Sequence, residues 1–410
     1  MQKMIEFAHA IELIQQEEIP EMGSERVNFI SSIDRVLSED IFAKENLPQV
    51  PLSSMDGYAF AYGDAELLGS VGLRVMGDNP AGKEMPTCQK GCVIKTFTGS
   101  VMPKNTDTMI LVEDVEFRDD RIFSRAHSKL PKKGQWVRDV GSNYQKGELL
   151  LPKSSKITPY EIGLLAELNC NFVSVYQKPR VGVLVSGNEI IEVGEEQKHP
   201  GEVRSVNNHL LRAMIEKMGA QATIYQTLGD DFVALESCFI QMLRECDLVL
   251  TTGGMSKGDY DFTQDVVLEH CEGVFKGVRM KPGKPLLFAR AHGSKKPVLG
   301  LPGNPNAVAV TFYLFGRMLL AKMFAQRCEP IILRAELQED LIRTDARLEF
   351  RACALSVCDG RYCVSGLAKA NFSALINNLC GNRALVILEE NGSDLKKGSQ
   401  VPIILFKEFS

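Results

Sequence analysis

A chain of 410 residues with 44% hydrophobic and 24% charged residues reads as a folded, soluble protein too long for one ordinary core, so two to four domains are expected. A net charge of −5 argues against nucleic acid as a partner, and no uncharged apolar run is long enough to span a bilayer. The 11 cysteines are scattered and odd in number, and the 6 histidines do not cluster with them, which fits reduced thiols in a cytoplasmic protein rather than zinc ligands.

In chain order, Met4, Phe7, Ala8, Ile11 and Ile14 share one helical face and predict a helix over 4–15; Glu6 and Glu12 inside that pattern exclude a signal peptide. A second short helix is predicted over 27–37. Residues 46–54, with Pro48 and Pro51, read as an extended linker. From Ala59 to Gly134 short strands and turns, broken at Gly77, Gly99 and Asp119-Asp120, predict a compact β domain; a helix is expected near 159–168. Beyond Arg180, strands over 180–185, 221–228, 247–252 and 297–301 alternate with helices over 207–218, 231–245, 261–270 and 306–323. That alternation predicts a doubly wound, mainly parallel α/β sheet. After Pro330, strands over 331–337, 347–355, 362–364, 384–388 and 400–406 predict a small β-barrel or sandwich.

Open α/β sheets bind ligands beyond the carboxyl ends of their strands. Here those ends read Ser186-Gly-Asn-Glu189, Thr251-Thr-Gly-Gly254 and Pro302-Gly-Asn-Pro305, and Lys281 and Lys284 lie in the turn Lys281-Pro-Gly-Lys-Pro285. Glycine lets backbone approach a ligand, and lysine ammonium groups are point charges suited to phosphate or a tetrahedral oxyanion. The combination predicts an anion or nucleotide-like pocket. Glu189, Asp230, Asp231, Asp259 and Asp261 gather at the same edge, where magnesium is the usual bridge between acids and phosphates. The pair Asp230-Asp231 and Asp261 fit helix caps equally well.

Taken together, Ser53-Ser-Met-Asp-Gly-Tyr58, Thr98-Gly-Ser-Val-Met-Pro103, Val185-Ser-Gly-Asn-Glu189, Thr252-Gly-Gly-Met-Ser-Lys-Gly-Asp-Tyr-Asp261, Lys281-Pro-Gly-Lys-Pro285 and Leu301-Pro-Gly-Asn-Pro305 resemble the molybdopterin molybdenumtransferase (MoeA) family, related to the C-terminal enzyme domain of gephyrin. The resemblance runs in order from the first residues to the last strand. It implies an elongated domain from residues 1–45 and 137–177, an inserted β domain over 46–136, an α/β domain over 178–327 and a C-terminal β-barrel over 328–410. It also implies a homodimer, with adenylylated molybdopterin and molybdate as substrates, Mg2+ as cofactor and AMP as product. A molybdopterin adenylyltransferase would act before it and acceptor molybdoenzymes after it. By the family pattern Lys281 and Lys284 hold molybdate, Asp56 and Thr98 enter from the partner subunit, and Gly99 holds substrate. Glu189, Asp230 and Asp261 organise magnesium or the pyrophosphate. Ser186, Gly187, Asn207, Thr252, Gly253, Gly254, Ser256 and Asp259 hold substrate, together with Pro285, Pro302, Gly303, Asn304, Pro305 and Arg347. Ser373 falls where an oxyanion-contacting serine is expected.

Three positions where the family carries an acid are neutral here: Asn143, Asn188 and Ser205. The family's Arg-x-Glu-Phe-x-Arg reads Arg347-Leu-Glu-Phe-Arg351, its second arginine one position early, which on a strand turns it to the other face. An amide brings no charge to a metal, so weaker magnesium binding is expected. The alternatives are a diverged paralogue of low activity or with a preference for tungstate, a molybdopterin adenylyltransferase, and a non-catalytic binding or scaffold protein.

Overall fold

The computed structural model describes residues 1–225, 231–253, 262–328, 330–343, 345–367 and 376–406. The chain divides into two compact units. One comprises Met1–Ser38, Ser154–Ile162 and Asn171–Ser410; the other comprises Glu39–Lys153 and Gly163–Cys170.

The larger unit is built on a sheet whose strands lie in the order Gln2–Ile5, Cys271–Val278, Leu287–Ala291, Pro297–Leu301, Leu248–Thr252, Arg180–Val185, Gln221–Ile224. Leu287–Ala291 runs antiparallel to both neighbours, and every other adjacent pair is parallel. Alternate residues of each central strand serve opposite faces. Val183, Val185 and Leu250 pack with Leu211 and Ile215 of the helix Asn207–Lys217 and with Val308, Phe312 and Phe315. Leu184, Val249 and Val298 pack instead with Leu235, Phe239, Val266 and Val267 of the helices Phe232–Glu245 and Phe262–His270. Burial on both faces is why these strands are continuous apolar runs rather than alternating ones.

The C-terminal strands close a ring. Leu348–Cys358 pairs with Arg361–Ser365, which pairs with Ile332–Leu337, then Gln400–Leu405, then Ala384–Leu388, which returns to Leu348–Cys358. This is a five-stranded barrel, and Met280–Lys281 joins it alongside Leu348 and Glu349. The smaller unit carries a six-stranded sheet in the order Thr108–Leu111, Gly57–Phe60, Cys92–Thr96, Leu73–Asn79, Arg121–Ser124, Val115–Arg118, over a core that includes Phe60, Leu68, Leu73, Val93 and Ile122.

Several sequence expectations are corrected. The first helix is Phe7–Gln16, because Gln2–Ile5 is drawn into the sheet beside Phe275–Val278, and Met4 is exposed. The helix expected over 27–37 does not form. Val27 belongs to the strand Ser24–Asn28, paired with Phe172–Tyr176, and a single 3-10 turn, Ile30–Ser32, follows. The expected linker over 46–54 contains a strand, Leu52–Ser53, paired with Val137–Arg138. Two sheet strands, Cys271–Val278 and Leu287–Ala291, had no counterpart in the sequence reading. The strand from Gln221 is described over Gln221–Ile224, and residues 226–228 of its expected span lie outside the described residues. The last long helix passes through a π-helical turn, Phe312–Gly316, where the Phe312 ring lies against Gly316.

Candidate active site

Strand register decides which motifs meet. Val185 pairs with Thr252, and Thr252 with Leu301, so three strands end level with one another. Leu287 pairs with Gly300, which puts the preceding turn, Lys281–Pro285, at the same edge. The segments beginning at Ser186, Gly253 and Pro302 therefore open onto one margin, with the two lysines beside them.

Hydrogen bonds between the strand ends fix that margin. Ser186 N–H donates to the Thr252 carbonyl at 3.2 Å, and its hydroxyl lies 2.9 Å from that of Thr263. Asn207, at the first turn of its helix, donates through Nδ2 to the Gly303 carbonyl at 2.7 Å and reaches Thr252 Oγ1 at 3.4 Å. Its Oδ1 is buried without a hydrogen-bond partner among the described residues, as is Ser205 Oγ. Gly253 has φ +85°, and a Cβ there would stand 2.6 Å from the Ser186 carbonyl oxygen. Glycine is needed at that position both for conformation and for room. Pro305 opens the final helix, where its missing N–H costs nothing.

The lysine turn bridges the sheet and the barrel. Val278 N–H donates to the Lys284 carbonyl at 3.0 Å, while Lys281 pairs in register with Glu349. Lys284 is exposed and the Lys281 side chain is 19% exposed. Arg347 lies beside them, with Nη1 3.4 Å from the Met280 carbonyl, but Asp345 engages its fork, Nε to Oδ1 at 2.8 Å and Nη2 to Oδ2. That pairing holds the Asp345 carboxyl well below the usual carboxylate range and raises Arg347.

Of the carboxylates expected here, Glu189 is exposed beyond its strand end, and its carbonyl accepts from Val203 N–H at 2.8 Å. Asp231 is a helix cap: its Oδ1 accepts from Val233 N–H at 3.0 Å and Ala234 N–H at 3.3 Å. Asp230, Gly254, Ser256, Asp259, Asp261 and Ser373 lie outside the described residues. Among the described residues no three His, Cys, Asp or Glu side chains form a metal-holding group.

A separate polar cluster stands in the smaller unit. Asp56 Oδ1 accepts from Thr98 N–H at 2.7 Å and from Thr98 Oγ1 at 2.8 Å. The backbone bond first, then the hydroxyl, lowers the Asp56 pKa. Gly99 N–H donates to the Ser53 carbonyl at 2.9 Å, lashing the two loops together. Next to Asp56, Gly57 lets its strand lie close against Thr108–Leu111, since a Cβ there would stand 2.4 Å from the Ile110 carbonyl oxygen. Val137 pairs with Ser53, and Arg138 donates to the Asn143 amide oxygen at 2.6 Å. The structure thus unites Ser186, Asn207, Thr252, Gly253, Gly303 and the lysine turn on one edge, and Asp56, Thr98 and Gly99 in a second cluster. Sequence reasoning missed Thr263, the Arg138–Asn143 bond and the partners of Arg347 and Lys281. The alternation Asp345-x-Arg347-x-Glu349-x-Arg351, four charges at strand period, was the signal for the last of these.

Family models match most of the chain: the MoeA N-terminal region (domains I and II) over residues 5–169, and a probable molybdopterin binding domain over residues 182–322. A molybdopterin molybdenumtransferase of Haemophilus influenzae is 30% identical over 388 residues, which cover 93% of this chain and 93% of that protein. The chain belongs to the molybdopterin molybdenumtransferase family. A second molybdopterin molybdenumtransferase, from Nostoc, is 29% identical over 398 residues, covering 94% of this chain and 90% of its own length. The crystal structure of a molybdopterin biosynthesis MoeA protein from Pyrococcus horikoshii superposes with a TM-score of 0.83 at 26% identity, covering 98% of this chain and all of that one. As a molybdopterin molybdenumtransferase the chain is an enzyme of molybdenum cofactor biosynthesis. Among the described residues no helix is long and apolar enough to cross a membrane.

Proposed function

We propose that the chain binds adenylylated molybdopterin and molybdate and releases AMP as molybdenum is bound by the pterin dithiolene. The observation that carries this reading is the level register of three strand ends with the Lys281–Pro285 turn beside them. Backbone N–H groups and two ammonium groups on one margin suit a substrate that carries phosphates and a partner that is a tetrahedral dianion. Asn207 Oδ1, buried without a partner among the described residues, is an acceptor for an N–H of the pterin.

Glu189, Asp230 and Asp261 would hold magnesium, which when bound neutralises phosphate oxygens as the adenylate departs. Asn143, Asn188 and Ser205 bring no charge to it, so half-saturation in magnesium comes at a higher concentration than in a relative with all three acids. A magnesium titration of turnover measures this. The protein works as a homodimer in which the Asp56–Thr98 cluster of one subunit serves the lysine edge of the other. Mixing Asp56→Asn and Lys281→Ala subunits, each inactive alone, then restores activity to part of the population. Failure of the mixture, with exchange of subunits demonstrated, removes the shared-site reading. The whole proposal is tested by AMP release with wild type and with Lys281→Ala/Lys284→Ala. Molybdate-dependent release lost in the double variant supports it, and release indifferent to both lysines contradicts it.

A further inference from the structure

Lys281 does not stand alone. Glu349 and Arg351 follow it in space, each with a side chain only 2% exposed. Arg351 grips Glu349 with both arms of its fork, Nε to Oε1 at 3.0 Å and Nη2 to Oε2 at 3.0 Å. Lys281 Nζ lies 3.6 Å from the same Oε1, an ion pair that stops short of a hydrogen bond. The charges of the three side chains sum to +1, and the surplus rests on the most exposed of them. Strand alternation explains the arrangement. Ala352 packs with Phe350 against the α/β core, whereas Arg351 shares the strand face of Glu349 and the buried Cys353.

We propose that Arg351 is a positioning residue for the oxyanion lysine: by satisfying Glu349 bidentately, it keeps that buried carboxylate from capturing Lys281. This rests on the reading above, in which Lys281 receives molybdate. A guanidinium matches both carboxylate oxygens at once, whereas an ammonium is a single point charge, so Arg351 is the preferred partner while it is present. Without it, the buried carboxylate keeps Lys281 as its neighbouring cation. A shift of about 0.8 Å brings Nζ to charge-assisted hydrogen-bond distance, and the ammonium is withdrawn from the anion.

The test uses full-length protein and molybdate alone as probe, by calorimetry, together with the molybdate dependence of AMP release. Arg351→Met weakens molybdate binding about tenfold or more, the loss of one charge-assisted contact, and kcat changes by less than about twofold. The double variant Arg351→Met/Glu349→Gln, which leaves no unpaired buried charge, returns molybdate affinity to within about threefold of wild type. It also carries the test if Arg351→Met does not fold. Wild-type affinity in Arg351→Met, or a double variant as weak as Lys281→Ala, overturns the proposal. Lys281→Ala that binds molybdate normally overturns this proposal and the reading beneath it; Lys281→Ala impaired with Arg351→Met unaffected overturns this proposal alone.

Discussion

Asn207→Ala separates a strut from a substrate contact. The side chain gives up one hydrogen bond to the Gly303 carbonyl at 2.7 Å and a long one to Thr252 Oγ1. Losing the first costs about 1 kcal/mol, and leaving the carbonyl unsatisfied raises this to about 1–3 kcal/mol. Against that, truncation removes Oδ1, a buried acceptor with no partner among the described residues, and recovers a penalty of the same order. The net loss of stability is therefore small, about 0–2 kcal/mol, a drop of a few degrees in Tm. Activity responds more strongly. The Gly303 turn loses its tie to the neighbouring strand end, and displacement of a binding group by about 1 Å costs on the order of a hundredfold. Thermal melting with kcat/KM for AMP release is the assay. Asn207→Asp falls further, because an oxygen then faces the Gly303 carbonyl and a negative charge enters an anion site. A variant with wild-type kcat/KM and a Tm more than about 10 °C lower would show that Asn207 is structural only, and the reasoning would fail.

Three further outcomes are expected. Asp231→Ala costs about 1 kcal/mol in urea unfolding, as loss of a helix cap does, and leaves turnover unchanged; a loss of several orders in turnover would make it a ligand instead. Gly253→Ala imposes a strained φ and a contact of 2.6 Å with the Ser186 carbonyl, so the strand ends spread and AMP release is abolished; wild-type kcat rejects the requirement for glycine. Asp56 has its folded pKa depressed below the ordinary 3.8, so the tether to Thr98 is fully present above that value and is lost as pH falls through the lower, folded pKa. Exchange of the Thr98 amide followed downward in pH reports it, and protection that fails already near pH 6 contradicts it.

How much of this was legible depended on whether local signals or distant pairings decide each element. Arg180–Val185, Pro297–Leu301 and Ala384–Leu388 matched residue for residue, because strands buried on both sides are short apolar runs with clear edges. Cys271–Val278 was missed because it follows the helix ending at His270 with no intervening turn residue, and Glu272 and Lys276 interrupt its apolar pattern. The helix read over 27–37 failed because Val27 pairs with Val173, a partner that no local window contains. At the site the motifs at the strand ends were legible as local patterns, and only register showed that those ends are level. Asp231 looked equally like a ligand and a cap, and the two N–H groups on its Oδ1 decide for the cap.

The most direct measurement is the coupling of the two half-events. Purified protein is given adenylylated molybdopterin and magnesium, with and without molybdate, and AMP released is counted against molybdenum bound to pterin. The account predicts molybdate-dependent release, with one AMP for each molybdenum inserted. Tight retention of adenylylated molybdopterin with no AMP under any oxyanion would contradict it and leave a binding protein in place of an enzyme.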